Sequence, residues 1–341
     1  MPVSIVVGGQ FGSEGKGKVA KIISEMENAT AAIRCGGTNS GHTVIDKNKK
    51  PIIFQQLPTA CMIPKILNVL CAGMYIDLEI LFNEISISNI DKNHLFIDPN
   101  ALIINNEMVK KERNSKLRDA IGSTGSGTGE AVIQRIKRNS DTVFAKDILE
   151  LKPYIRNVKK ILREMLNQNK RIVLEGTQGY GLSLLHSPYY PNVTSRDTIA
   201  SSFLSETGLS PFDVDDIVLV LRSFPIRVSG NSGPLPDEVE WKTITKESGA
   251  TYYITEKTSV TKQIRRVARF NPDIVCKAIQ VNKPSRIVLN HLDYIDFQSK
   301  KHGMTDKILQ FVKKVSVEIG QNIDFIGTGP DILIKNNINF L

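Results

Sequence analysis

The sequence predicts an α/β protein. It reads as a single large domain over residues 1–341, with a central, mostly parallel sheet flanked by helices and a P-loop-like phosphate loop. Three observations lead there. Short apolar runs recur along the chain and end in glycine-rich or polar loops. Helical periodicities lie between them. The first run opens into Gly8-Gly9-Gln10-Phe11-Gly12-Ser13-Glu14-Gly15-Lys16-Gly17-Lys18, directly ahead of a helix. Strands alternating with helices imply parallel pairing.

Residues 3–7 read as a buried strand and residues 19–26 carry helical apolar spacing. The loop between them suits an anion. Glycines let backbone N–H groups approach, the helix N-terminus adds positive potential, and lysine supplies charge. It is not a Walker A loop, because no Ser or Thr follows Gly-Lys. The alternative at this level is a glycine turn beside two solvated lysines.

Further strand-like runs follow at residues 31–33, 171–174, 217–221, 286–289 and 323–326. Their carboxyl ends carry polar loops: Arg34 to Thr43, Glu175 to Gly179, Arg222, Asn290 to Asp293, and Gly327 to Asp331. Residues 147–168 and 307–319 read as helices between them. Ligands bind beyond the carboxyl ends of such strands, so these loops are expected to converge on one site. Residues 211–264 are less regular. The glycine- and proline-rich stretch 229–236 reads as a loop, either a surface connection or a ligand cover.

The formal net charge of +9 points to anionic partners. The lysines are dispersed and no basic-aromatic stripe occurs, which favours small phosphorylated ligands over nucleic acid. Cys35, Cys61, Cys71 and Cys276 show no C-x-x-C pairing, which argues against a zinc site or disulfide framework and suits a cytoplasmic setting. The first residues enter a strand directly and no apolar run is long enough to span a membrane, so neither a signal peptide nor a membrane anchor is expected.

Several loops together resemble adenylosuccinate synthetases. The first loop resembles Q-W-G-D-E-G-K-G-K, and Gly36 to Thr43 resembles G-G-x-N-A-G-H-T. Ile121-Gly122-Ser123-Thr124, followed by Gly127 and Gly129, resembles I-G-T-T-x-x-G-I-G. Glu175 to Gly179 with Tyr190 to Ser195 resembles E-G-A-Q-G and Y-P-x-V-T-S. Gly233 to Pro236 resembles G-P-F-P, and Thr258 to Arg266 resembles T-T-G-R-x-R-R. Asn290 to Asp293 resembles T-K-L-D, and Gly327 to Pro330 a final base-binding loop. The matches share the family's order from Gly8 to Asp331.

The resemblance implies the adenylosuccinate-synthetase fold and a ligase that condenses a 6-oxopurine nucleotide with L-aspartate. A γ-phosphoryl group is transferred to the 6-oxygen, making it a leaving group that the aspartate amine displaces. The implied catalytic residues are Ser13, Lys16, His42 and Gln178. The implied triphosphate site comprises Gly12, Glu14, Gly15, Lys16, Gly17, Lys18, Gly41, His42, Thr43, Asn290, Asp293, Gly327 and Gly329. The implied nucleotide site comprises Ser13, Asn39, Thr124, Arg138, Gln178, Thr194 and Gln263. Thr258, Ser259, Val260, Thr261 and Arg265 would hold aspartate, with Arg265 gripping carboxylates bidentately. Ser13 and Gly41 would meet Mg²⁺. Arg138 matches an arginine that reaches the neighbouring subunit's nucleotide, implying a homodimer.

Three positions depart from the family. Ser13 stands where an aspartate takes the N1 proton and contacts Mg²⁺, and a serine hydroxyl cannot do that unaided. Serine leaves room for the exocyclic amine of guanine. Gln263 replaces an arginine at the ribose hydroxyls, and His291 replaces the lysine of the guanine-reading loop. Together these resemble the phage branch that makes the precursor of 2-aminoadenine. The expectation is dGMP, aspartate and ATP, with GTP as the alternative donor, giving N6-succino-2-amino-2′-deoxyadenylate. The competing readings are an ordinary synthetase using IMP and GTP, and a non-catalytic nucleotide-binding protein.

Overall fold

The computed structural model describes residues 2–258 and 262–341. Nine strands form the main sheet: β1 (Val3–Gly8), β2 (Ala31–Arg34), β3 (Leu67–Leu70), β4 (Leu95–Ile97), β5 (Ile172–Glu175), β6 (Val214–Arg222), β7 (Arg286–Asn290), β8 (Phe325–Ile326) and β9 (Ile334–Lys335). Their order is β9-β8-β7-β6-β1-β5-β2-β3-β4. Every pairing is parallel except β8 with β9.

The first strand lies centrally and is apolar because both of its faces are covered. Val3, Ile5 and Val7 join one core cluster, while Val6 packs on the opposite face with Val19, Ala20 and Ile23. The last three belong to α1 (Lys16–Met26). The chain runs outward from β1 through β2, β3 and β4, returns at β5, and crosses β1 to reach β6. The loops after β1, β2, β5 and β6 therefore gather where the winding reverses, the crevice that doubly wound sheets use for ligands.

Two expectations for the elements need correction. The helix expected at 147–168 is present only as Val158–Asn167, where Asn157 Oδ1 accepts the Lys160 N–H as an N-cap. Ahead of it lie two short 3-10 turns, Ala145–Asp147 and Leu149–Leu151, in a stretch interrupted by Pro153. The irregular segment 211–264 holds, besides β6, strands Ile226–Arg227 and Glu238–Val239 and a helix at Trp241–Ser248. Both strands pair with Arg266–Ala268 in a small antiparallel sheet. Strands β3, β4 and β9 were not anticipated. They are two to four residues long, and none of the motif loops follows them to mark a strand end.

Candidate active site

The phosphate loop is built around a buried carboxylate. Glu14 is fully buried, and its Oε1 accepts the N–H groups of Gln10 at 3.1 Å and Gly12 at 2.8 Å. Its Oε2 lies 2.6 Å from Lys16 Nζ. The Glu14 side chain thus braces the loop from within, which leaves its backbone to face a phosphate. Gly15 caps α1 in the left-handed region with no side-chain cap, leaving the helix's first N–H groups available to an anion. Lys16 and Lys18 occupy the first turn, where cations oppose the helix dipole and a bound anion would add to the relief that protein groups already give them.

Ser13 is exposed at the loop tip with φ +56°, a conformation few non-glycine residues adopt. Arg222, at the end of β6, donates from Nη1 to the Ser13 carbonyl at 2.9 Å. Arg222 is itself fully buried and pairs with Glu256 at 2.5 Å. Burial opposes ionisation of Glu256, but Arg222, His291 and Arg265 together outweigh it and hold the carboxyl at about 2.

Gly17 illustrates why glycine is needed here. A Cβ at this position would stand 2.7 Å from Thr59 Cγ2 and 2.8 Å from His42 Cβ. Gly17→Ala is therefore expected to displace His42 and lower stability by about 1–3 kcal/mol, read from urea denaturation. An unchanged denaturation midpoint would show that the two neighbours can move aside.

A cavity of about 510 Å³ opens at this edge of the sheet. It gathers Gly12, Ser13, Lys16, Asn39, Gly41, His42, Thr124, Gln178, Thr194, Thr258, Gln263 and Arg265 from segments far apart in sequence. Asn39 Nδ2 donates to Thr194 Oγ1 at 3.3 Å, tying the loop after β2 to the loop after β5. Gln178, with φ +59°, places its Oε1 near Gly12. Gln263 Oε1 accepts the Ser229 hydroxyl at 2.5 Å, and residues 228–232 line the cavity, so the glycine-rich loop is part of the site's wall. Burial and the neighbouring Arg222 lower the Arg265 pKa. Ser259, Val260 and Thr261 lie outside the described residues.

Other expected residues fall outside this cavity. Lys18 donates to the carbonyls of Gly329 at 3.0 Å and Ile332 at 3.2 Å, and burial lowers its pKa to about 8 against the pull of Asp293 and Asp331. Asn290 Nδ2 donates to the Glu14 carbonyl at 2.8 Å, and Leu292 N–H reaches the Gly327 carbonyl. The loops at Asn290–Asp293 and Gly327–Gly329 thus flank the start of α1. Asp293 lies 3.3 Å from Lys300 Nζ, and the His291 ring packs on Tyr294. Thr43, on the strand His42–Ile45, is exposed. Arg138 is exposed at the carboxyl end of the helix Thr128–Lys137, in the left-handed region.

Sequence reasoning missed three charged residues. Arg227 lines the cavity with its guanidinium 4.7 Å from the Phe11 ring centroid, and burial lowers its pKa to about 10. Glu112 accepts from Ser123 Oγ at 2.8 Å and Gly129 N–H at 3.0 Å, fixing the loop that carries Thr124. Glu175, inside a quoted motif but given no role, bonds His42. Its signal was an acidic residue at the end of a buried strand, where a carboxylate needs a partner. Away from the cavity, Cys35 and Cys71 come together with sulfurs 3.6 Å apart beside Glu206, which their sequence spacing did not reveal.

A parallel sheet, a glycine loop opening a helix and a polar cavity at the strand ends define an α/β enzyme class that handles phosphorylated nucleotides. Within that class the chain belongs to the adenylosuccinate synthetase family, whose profile matches residues 5–148 and 141–300. The adenylosuccinate synthetase of Pyrococcus horikoshii is 34% identical over 342 residues, covering 97% of each chain. That of Methanococcus aeolicus is 35% identical over 343 residues, covering 97% of this chain and 98% of its own. Among solved structures, the succinoaminodeoxyadenylate synthetase of cyanophage S-2L, bound to dGMP and to dATP as an energy donor, superposes with a TM-score of 0.83 at 26% identity. It covers 98% of this chain and 95% of its own. The fully ligated adenylosuccinate synthetase from Plasmodium falciparum shares the fold, with a TM-score of 0.86 at 18% identity, covering 99% and 100%. The family joins carbon to nitrogen using Mg²⁺ and a nucleoside triphosphate. Among the described residues no helix is long and apolar enough to cross a membrane.

Proposed function

We propose that this enzyme condenses dGMP with L-aspartate, driven by ATP through a 6-phosphoryl purine, to give N6-succino-2-amino-2′-deoxyadenylate. The observation that carries the reading is Ser13. It is exposed on the cavity wall at the loop tip, with its carbonyl anchored by Arg222. A short neutral side chain there leaves room for a 2-amino group where a carboxylate would stand. The likeness to the cyanophage enzyme supports the same substrate.

Lys16 and Gln178 would stabilise charge on the transferred phosphoryl group and the 6-oxygen, His42 would meet the phosphate, and Arg265 the aspartate carboxylates. ATP is favoured over GTP because Lys300 already engages Asp293, the carboxylate expected to accept guanine's N–H groups. Mg²⁺ fits as an ion carried on the substrate phosphates. The Ser13 hydroxyl and the Gly41 backbone oxygen would be its protein ligands, since the Glu14 carboxylate is committed internally. The ion would neutralise phosphate charge during transfer.

A homodimer is part of the proposal, with exposed Arg138 serving the partner's nucleotide and residues 1–341 acting as one domain. Arg138→Ala and His42→Ala proteins are expected to be nearly inactive alone. Mixed dimers should regain up to about half the activity per dimer, since one of the two shared sites is then intact. No recovery in verified mixed dimers would count against a site shared between subunits.

The decisive assay is aspartate-dependent phosphate release with dGMP, GMP, dIMP and IMP, each with ATP and with GTP. The expected result is turnover favouring dGMP with ATP. The second reading, IMP with GTP, rests on the similarity to the archaeal synthetases. Preference for IMP would establish it.

A further inference from the structure

His42 sits over a buried charged cluster formed by Glu175 and Arg34. Glu175 is 1% exposed and Arg34 0%. Glu175 Oε2 accepts the Thr59 N–H at 2.8 Å and lies 2.7 Å from Thr59 Oγ1, so the carboxylate cannot rotate freely. Its Oε1 is left to His42 Nδ1, at 2.5 Å, and to Arg34 Nη1, at 2.7 Å. Arg34 Nη1 also touches His42 Nδ1 directly. The same guanidinium has two buried nitrogens, Nε and Nη2, with no hydrogen-bond partner among the described residues.

A buried cation satisfied on one side only costs stability, and apolar residues of similar volume would pack there without that cost. The cluster therefore asks for a role other than cohesion. Two arrangements compete at Nδ1. Either Nδ1–H donates to Glu175, or a bare Nδ1 accepts from Arg34, and the neutral ring cannot do both. Burial resists charge on Glu175, but Arg34, His42 and Thr59 together outweigh it and hold the carboxyl at about 2. An ionised carboxylate with its other oxygen pinned is the stronger claimant on the ring hydrogen.

We infer that Glu175 is a positioning residue that takes the Nδ1 hydrogen of His42 and so fixes the neutral ring with Nε2 bare. Arg34 keeps the carboxylate charged and supplies the competing donor. A bare Nε2 can take up a proton at the cavity and hand it to a phosphate oxygen, with the Glu175 carboxylate facing the ring's other nitrogen, whereas a ring flipped by Arg34 has no such carboxylate behind it. The inference rests on the reading of His42 as the group that meets the phosphate only for its effect on turnover. The tautomer itself belongs to the unliganded protein.

The test has two arms. In protein labelled with ¹⁵N-histidine, the ring resonances of His42, assigned by their loss in His42→Ala, report which nitrogen carries hydrogen. Nδ1–H is expected in the wild type. In Glu175→Gln, Arg34 loses its counter-charge and donates to Nδ1, so the hydrogen is expected on Nε2. Glu175→Asp, which retains charge, should restore Nδ1–H at least in part. In the second arm, kcat of Glu175→Gln should fall by about 10–100-fold with KM within about threefold, whichever purine nucleotide proves to be the substrate. Nε2–H in the wild type overturns the inference without any variant, including the case where Glu175→Gln fails to fold. An unchanged tautomer and kcat in a folded Glu175→Gln also overturns it. If the wild type carries Nδ1–H but the variant flips with no effect on kcat, the positioning role fails while the substrate reading is untouched.

Discussion

Lys16→Met is expected to lower aspartate-dependent phosphate release by about 100–1,000-fold, the cost of removing one charge-stabilising donor from a transferring group. The same substitution should destabilise the fold. Lys16 is 2% exposed and Glu14 is fully buried, and they face each other at 2.6 Å. Removing the ammonium leaves a carboxylate buried without its cation, which costs about 3–5 kcal/mol. A double substitution separates the two effects. Glu14→Gln with Lys16→Met removes the uncompensated charge while keeping an acceptor for the N–H groups of Gln10 and Gly12. It should recover much of the stability, followed by urea denaturation, and none of the turnover. A folded double variant with activity within tenfold of wild type would exclude Lys16 from phosphoryl transfer.

Ser13→Asp is expected to lower the kcat/KM ratio of dGMP to IMP by at least about 100-fold, because a charged and longer side chain refills the space left for the 2-amino group. The backbone should accept the change. Ser13 sits at φ +56°, aspartate tolerates that region, and the anchoring bond from Arg222 is to the carbonyl. Parallel initial-rate measurements on both nucleotides decide the matter. If the aspartate variant gains activity on dGMP and none on IMP, Ser13 is a defective base rather than a specificity residue, and the dGMP reading loses its main support.

The sequence by itself determined the parallel α/β class, the phosphate loop and the family, because these are written in short contiguous patterns. An apolar run, then glycines, then helical apolar spacing is a local pattern that reads as strand, turn and helix without knowledge of the rest of the chain. Motif order also foretold the gathering of Asn39, His42, Gln178 and Thr194, since each follows a strand whose carboxyl end must lie on one edge. Local pattern reached no further. Glu14 reads as a loop anion, yet its inward rotamer follows from the N–H groups of Gln10 and Gly12 that need an acceptor. Asp293 reads as a base contact, yet Lys300 engages it. Arg34 and Glu175 stand 141 positions apart and meet only because β2 and β5 are neighbours in the sheet. The tertiary structure decided these pairings because burying a charge obliges it to find a partner across space, and the separation along the chain carries no trace of that partner.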